Sequence, residues 1–169
     1  MKNIVMILLF VLNHSLGICG FEFSWAIPQA THTDTSKPDK VTITFDNMLS
    51  VFQLPDKKGQ SILTIIRRTN SKWKLANEDE RGSTFSLEDP KQEVLSWRVL
   101  KKDLVYLFPD SVRYDKLQHD MIAKGFEFVL ERSAENIESM RFYKRDGISA
   151  ILGKFSDNSF ILTIKRLMD

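Results

Sequence analysis

Cysteine and histidine are nearly missing from this sequence, which holds one Cys (Cys19) and three His in 169 residues. A single cysteine forms no internal disulfide, so no covalent staple supports the fold. Serine and cysteine nucleophiles need a base, most often a histidine, within hydrogen-bond reach. His32 falls in a polar stretch and His119 on the solvated side of an expected helix, so neither suits that role. A zinc site takes three or four Cys, His or carboxylate ligands, and the supply is thin. Glycine is scarce at 7 residues, and neither GxxxxGK[ST] nor GxGxxG occurs, so no phosphate-cradling loop is expected. No metal, cofactor or catalytic residue is assigned from the sequence. Nor is there an excess of one charge. Lys plus Arg number 24 against 22 Asp plus Glu, a net +2, which gives no strong overall field to draw nucleic acid or an anionic membrane.

What is abundant is apolar and aromatic residues, at 43% and 11% of the chain, with 12 Phe. That suits one soluble domain with a packed interior. The longest apolar run, Ile4 to Leu12, follows Lys2 and is cut short by Asn13, His14 and Ser15. Basic start, short apolar core and small residues beyond it have the layout of a secretory signal. Ser24 and Ala26 place the expected cleavage after Ala26, which leaves a mature chain without cysteine. The run is well short of the ~20 residues that span a bilayer. Leu16-Gly17-Ile18-Cys19 resembles the lipobox of bacterial lipoproteins, in which the cysteine is acylated. Ile18 departs from that motif, which takes a small residue there. Membrane attachment is therefore expected only through lipid on Cys19 or an uncleaved signal.

Residues 27–40 are polar and carry two prolines, and they read as a flexible lead-in to one α+β domain over 41–169. Val41 to Phe45 alternates as a strand, and Met48 to Leu54 fits either a short helix or a strand. Ile62 to Arg68 (ILTIIRR) is rich in β-branched residues and predicts a buried strand. Lys72 to Ala76, Ser83 to Leu87, Val94 to Leu100 and Leu104 to Phe108 predict further strands, with a helix from Pro90 to about Lys101 as the alternative for one of them. Asn77 to Gly82 reads as a charged loop.

The clearest patterns lie beyond Pro109. Asp110 or Ser111 suits an N-cap, Tyr114, Leu117 and Met121 share a helical face, and Gly125 suits a C-terminal left-handed residue. A capped helix over 111–124 is predicted. After Gly125 the apolar period falls to two, which predicts a four-stranded antiparallel meander with a turn at Asp146-Gly147. The expected core is Phe45, Ile62, Ile65, Trp73, Val94, Trp97, Leu104, Tyr106, Leu117, Met121, Phe126, Phe128, Phe142, Ile151, Phe160, Leu162 and Ile164.

Two groups of charged residues invite a functional reading. Carboxylates could pair as in glycosidases, from Glu127 and Glu131, from Glu78, Asp79 and Glu80, or from Glu135 and Glu138. Basic residues interleaved with aromatics (Arg67, Arg68, Lys72, Lys74 about Trp73, and Arg141, Lys144, Arg145 about Phe142 and Tyr143) have the make-up of nucleic-acid surfaces. Charge at strand ends, which also protects sheet edges, explains both more simply. The reading that results is an exported, periplasmic or extracellular, non-enzymatic protein. It engages another envelope or extracellular protein through its sheet face or edge, and not nucleic acid. The alternative is a secreted hydrolase that uses a carboxylate pair on a glycan or other polymer.

Overall fold

The computed structural model describes residues 43–87 and 92–167. The expected signal segment 1–26, lead-in 27–40 and cleavage site lie outside these residues. The chain is α+β and mostly sheet. Two helices, α1 (Phe45–Gln53) and α2 (Gly59–Ile66), precede strands β1 (Lys74–Asp79), β2 (Gly82–Leu87), β3 (Glu93–Arg98) and β4 (Asp103–Phe108). Helix α3 (Ser111–Ala123) follows, then β5 (Glu127–Ala134), β6 (Ile137–Arg145), β7 (Ile148–Phe155) and β8 (Phe160–Arg166). All eight strands join one antiparallel sheet in the order β1-β2-β3-β4-β8-β7-β6-β5. The last strand of the chain therefore lies in the middle, and β1 and β5 are the two edges.

Two expected strands are corrected. Of the expected strand Val41 to Phe45, the described residues Ile43 and Thr44 are irregular and Phe45 opens α1, so this part is not a strand. The Thr44 side chain accepts from the Asn47 amide while the Asn47 side chain accepts from the Thr44 amide, a reciprocal cap that starts the helix there. Ile62 to Arg68 is not a strand either. Ile62, Leu63 and Ile66 are the buried positions of α2, a helical spacing. Its N-cap, Lys58, makes no side-chain cap; instead the Glu78 carboxylate of β1 accepts the Gly59 amide at 2.6 Å and also takes the Ser83 hydroxyl. A Cβ on Gly59 would stand 2.8 Å from that carboxylate, so the position is held for glycine by the partner that caps the helix. Asn77 to Asp79, expected as loop, belong to β1, and the 90–101 segment carries β3 and not a helix.

Helix α3 begins at Asp110, whose side chain accepts from the Val112 amide, and ends through Gly125 at φ +79, where the Phe126 amide returns to the Met121 carbonyl at 3.0 Å. The Arg145 guanidinium donates to the exposed Lys124 carbonyl and pairs with Asp146, tying the helix end to the β6–β7 turn.

The helices cover one face of the sheet. Helix α1 packs on central strands β4 and β8, α2 on β1 and β2, and α1 against α3. Phe45 meets Phe126 edge-on at 5.2 Å, and Tyr114 of α3 lies against Phe160 at 5.2 Å. The core between the layers holds Trp73, Phe85, Leu95, Tyr106, Phe108, Leu117, Met121, Tyr143 and Leu162. Of the expected core, Phe128 is a correction, since it is 56% exposed. The sequence alternation breaks at Val129, where a bulge shifts the β5–β6 register. Val94, Trp97, Ile65 and Phe142 are half-buried, and Leu95 and Tyr143 take the inward places beside Val94 and Phe142. Ile151, Phe155 and Ile161 point to the opposite face of the sheet and are buried there. Gly153 serves that face, because a Cβ on it would come within 2.8 Å of Ile161 Cγ2.

Candidate functional site

Among the described residues the buried acids, Glu93 and Asp103, are each paired with an arginine. Glu93 of β3, Tyr106 of β4 and Arg113 of α3 form one cluster under the first turn of α3, with Glu93 5% and Tyr106 0% exposed. The Tyr106 hydroxyl donates to Glu93 Oε2 at 2.5 Å, and Arg113 Nη1 reaches both the Tyr106 oxygen and Glu93 Oε1 at 2.5 Å. Arg113 Nε is buried and has no hydrogen-bond partner. Burial and the Glu93 charge push the Tyr106 hydroxyl well above the usual tyrosine range, against the opposing pull of Arg113. Asp103, the other buried acid, receives two hydrogen bonds from Arg98 at 2.7 and 2.5 Å. These are ties between elements: they lock β3 to β4, and both to α3.

The expected carboxylate pairs are not drawn together into a cleft. Glu78 caps α2, Asp79 accepts from the Arg81 amide, Glu131 pairs with Arg141 at 3.3 Å, and Glu138 pairs with Lys154 at 2.5 Å. Glu127 and Glu135 are exposed at the two ends of β5, and His119 is exposed on α3. Among the described residues no three His, Cys, Asp or Glu side chains gather as a metal site, and no helix is long and apolar enough to cross a membrane. The two basic groups also fall apart. Arg67 Nε donates to the Trp73 carbonyl and Trp73 is buried in the core, so no stacking platform exists there. Arg141 is held by Glu131 and Gln118, while Lys144 and Arg145 stand at the end of β6.

Exposure concentrates instead on the β5 edge. Apart from Leu130 every residue of β5 is exposed, and among the described residues the strand has a sheet partner, β6, on one side only. Phe128 and Val129 are 56% and 47% exposed. The Phe128 ring meets buried Tyr143 edge-on at 5.8 Å, which holds it in place on the helix side of the sheet. Leu130, Glu131 and Arg132 pair in unbroken register with Phe142, Arg141 and Met140, between bulges at Val129 and Ser133. The opposite edge differs in kind: β1 shows Lys74, Asn77, Glu78 and Asp79, and Glu78 ties it to α2. Charge of that sort discourages edge pairing; β5 carries Glu127, Glu131 and Arg132 too, and differs in adding an exposed aromatic and a valine, which invite it. Beside the start of β5, Gly125, Glu127, Lys144, Arg145, Asp146, Gly147 and Leu167 line an open depression of about 340 Å³. Its walls are charged, with Leu167 the one large apolar side chain, unlike the mostly apolar pockets that hold small ligands.

Sequence reasoning placed Phe128 inward and so missed this edge; the signal that could have found it is the pair of adjacent apolar residues, Phe128-Val129, which a strictly alternating strand cannot bury together. Compared with protein-family models, with curated proteins and with solved structures, the chain matches none of them.

Proposed function

We propose that this chain is a non-enzymatic binding protein that takes an extended segment of a partner protein along β5. The observation that carries this reading is the exposed Phe128-Val129 pair on a strand with one free side. Main-chain hydrogen bonds along such an edge supply affinity, and side-chain positions beside it supply choice of partner. The bulge at Ser133 bends the strand and limits the contact to a short partner segment. Matching of the buried acids Glu93 and Asp103 to arginines supports structure over catalysis as their role. The signal-like segment before residue 27 carries with it an envelope or extracellular setting for the partner.

The test is selection of peptides from a displayed random library against the full chain, followed by hydrogen exchange of the bound state. The reading expects selected peptides to be rich in β-formers, to slow exchange of β5 amides, and to lose binding at least about tenfold with Phe128→Asp or Val129→Lys. Peptides that bind both variants unchanged, or that protect amides elsewhere and leave β5 as it was, would end it.

A further inference from the structure

A net charge of +2 conceals a segregation of charge along the strands. At the end of the sheet where β3 and β6 finish, the 99–102 turn brings Arg98, Lys101 and Lys102 together, and the 146–147 turn adds Lys144 and Arg145. The last residues of β8, Lys165 and Arg166, arrive between them, because β8 pairs with both β4 and β7. Lys57, from the connection between α1 and α2, lies over the Trp97 ring at 5.0 Å on the same end. Of the acids there, Asp103 is held by Arg98 and Asp146 by Arg145, Glu127 lies opposite Lys144, and the β1–β2 turn with Asp79, Glu80 and Arg81 lies beside Val99, whose amide donates to the Arg81 carbonyl at 2.8 Å. The opposite end carries Asp110, Glu135, Glu138 and Asp157, and its cations are paired, Lys154 with Glu138 at 2.5 Å and Arg113 with Glu93 and Asp110.

The cations at the basic end face one another. Burial and the charge of Arg166 hold the Lys57 ammonium below its usual range, and burial and Arg98 do the same for Lys101, with Asp103 opposing. Cations that disfavour each other's charge gain from an external anion. The same end also presents the most exposed large apolar side chain of the described residues, Leu100 at 81%, next to Val99 at 43%, with Leu167 at 46% beside the 146–147 turn.

We propose that this end of the sheet docks on an anionic lipid bilayer, with Leu100 and Val99 entering the headgroup region and the flanking lysines and arginines against lipid phosphates. The pairing of exposed aliphatic tips with cations favours a lipid surface over a soluble polyanion, which offers no apolar layer for the leucine. A surface, unlike a peptide, also meets several turns at once. This site uses other residues than β5 and stands independently of that edge.

The experiment uses the full chain with Cys19→Ser and a polarity-sensitive dye on Val99→Cys, or on Asp157→Cys at the opposite end as the control. A local probe separates this contact from any binding through the apolar run at Ile4 to Leu12. Phosphatidylcholine vesicles containing phosphatidylglycerol should shift the residue-99 dye to the blue, an effect that weakens with added salt, while phosphatidylcholine alone leaves it unchanged. The residue-157 dye should stay in water in both. Lys101→Glu with Lys102→Glu should lower the vesicle response at least about tenfold, and Leu100→Ser should remove the blue shift. An unshifted residue-99 dye, an equal shift with neutral vesicles, or an equal shift at residue 157 overturns the proposal. So does binding of inorganic polyphosphate with no blue shift on vesicles, which would make the site one for soluble polyanions.

Discussion

Replacing Arg113 by methionine should be among the most damaging single changes to this fold. Methionine keeps most of the volume and removes the charge, which leaves the Glu93 carboxylate 5% exposed with the Tyr106 hydroxyl alone for support. Removing one partner of a buried ion pair costs about 3–5 kcal/mol, because the other charge stays out of water unmatched. Loss of the unpartnered Nε–H offsets a part of this, so a value toward 3 kcal/mol is expected. Against a total stability of about 5–15 kcal/mol, and with a urea slope of about 2 kcal/mol per M, the midpoint should fall by roughly 1.5 M. Tyr106→Phe removes a hydroxyl shared by both charges and should cost about 1–3 kcal/mol. Glu93→Gln together with Arg113→Met should cost less than the sum of the two singles, by about 0.5–3 kcal/mol. Urea unfolding followed by circular dichroism reads all of these. An Arg113→Met variant within about 0.5 kcal/mol of the parent, or strict additivity of the pair, would refute the view that these side chains act as one buried unit.

The same cluster predicts the alkaline limit of the fold. Folded Tyr106 keeps its proton above the pH at which the unfolded chain's tyrosine releases it, near 10. Stability is therefore full below about pH 10 and falls as pH rises beyond it, and Tyr106→Phe should flatten that decline in urea titrations at rising pH. Gly82→Ala should cost several kcal/mol in thermal unfolding, since φ there is +146 and a Cβ would sit 1.9 Å from the Trp97 carbonyl oxygen. Gly59→Ala and Glu78→Ala both remove the borrowed cap of α2 and should each cost about 1 kcal/mol, with the double variant little worse than either, as a double-mutant cycle would show. Gly153→Ala forces the β-branched Ile161 to move and should cost about 1–3 kcal/mol in thermal unfolding.

The α+β class and the dominance of antiparallel sheet were legible because short runs rich in apolar, β-branched and aromatic residues recur, at β2, β4, β7 and β8, with turn residues between them. What misled the reading was tertiary in origin. ILTIIRR has strand composition, yet its helix is capped by an acid 19 residues away, and no local pattern announces that. The Thr44–Asn47 cap was available locally, but the alternation of Val41 to Phe45 outweighed it. Face assignment failed where a strand has apolar residues on both sides: Val94 and Leu95, and Phe142 and Tyr143, each offer two apolar neighbours, and register alone decides which is inward, while Phe128 takes the helix side but lies on an edge strand that leaves it exposed. The charge segregation was equally hidden, because its members come from four separate stretches of chain that the strand order gathers at one end.

Placing β8 between β4 and β7 has a consequence for how the molecule is made. A chain emerging from its N-terminus first has α1, α2, α3 and β1 to β7 available before Phe160 appears, yet the inner strands β4 and β7 still lack a neighbour. Until β8 arrives, β4 and β7 are both open templates, lined by Leu104, Tyr106, Ala150 and Leu152, for pairing with another nascent chain. Strand β8 thus acts as a keystone: a stop codon or a protease cut before residue 160 leaves two unjoined half-sheets in place of a shortened fold, and the hazard of aggregation lasts until β8 is in place.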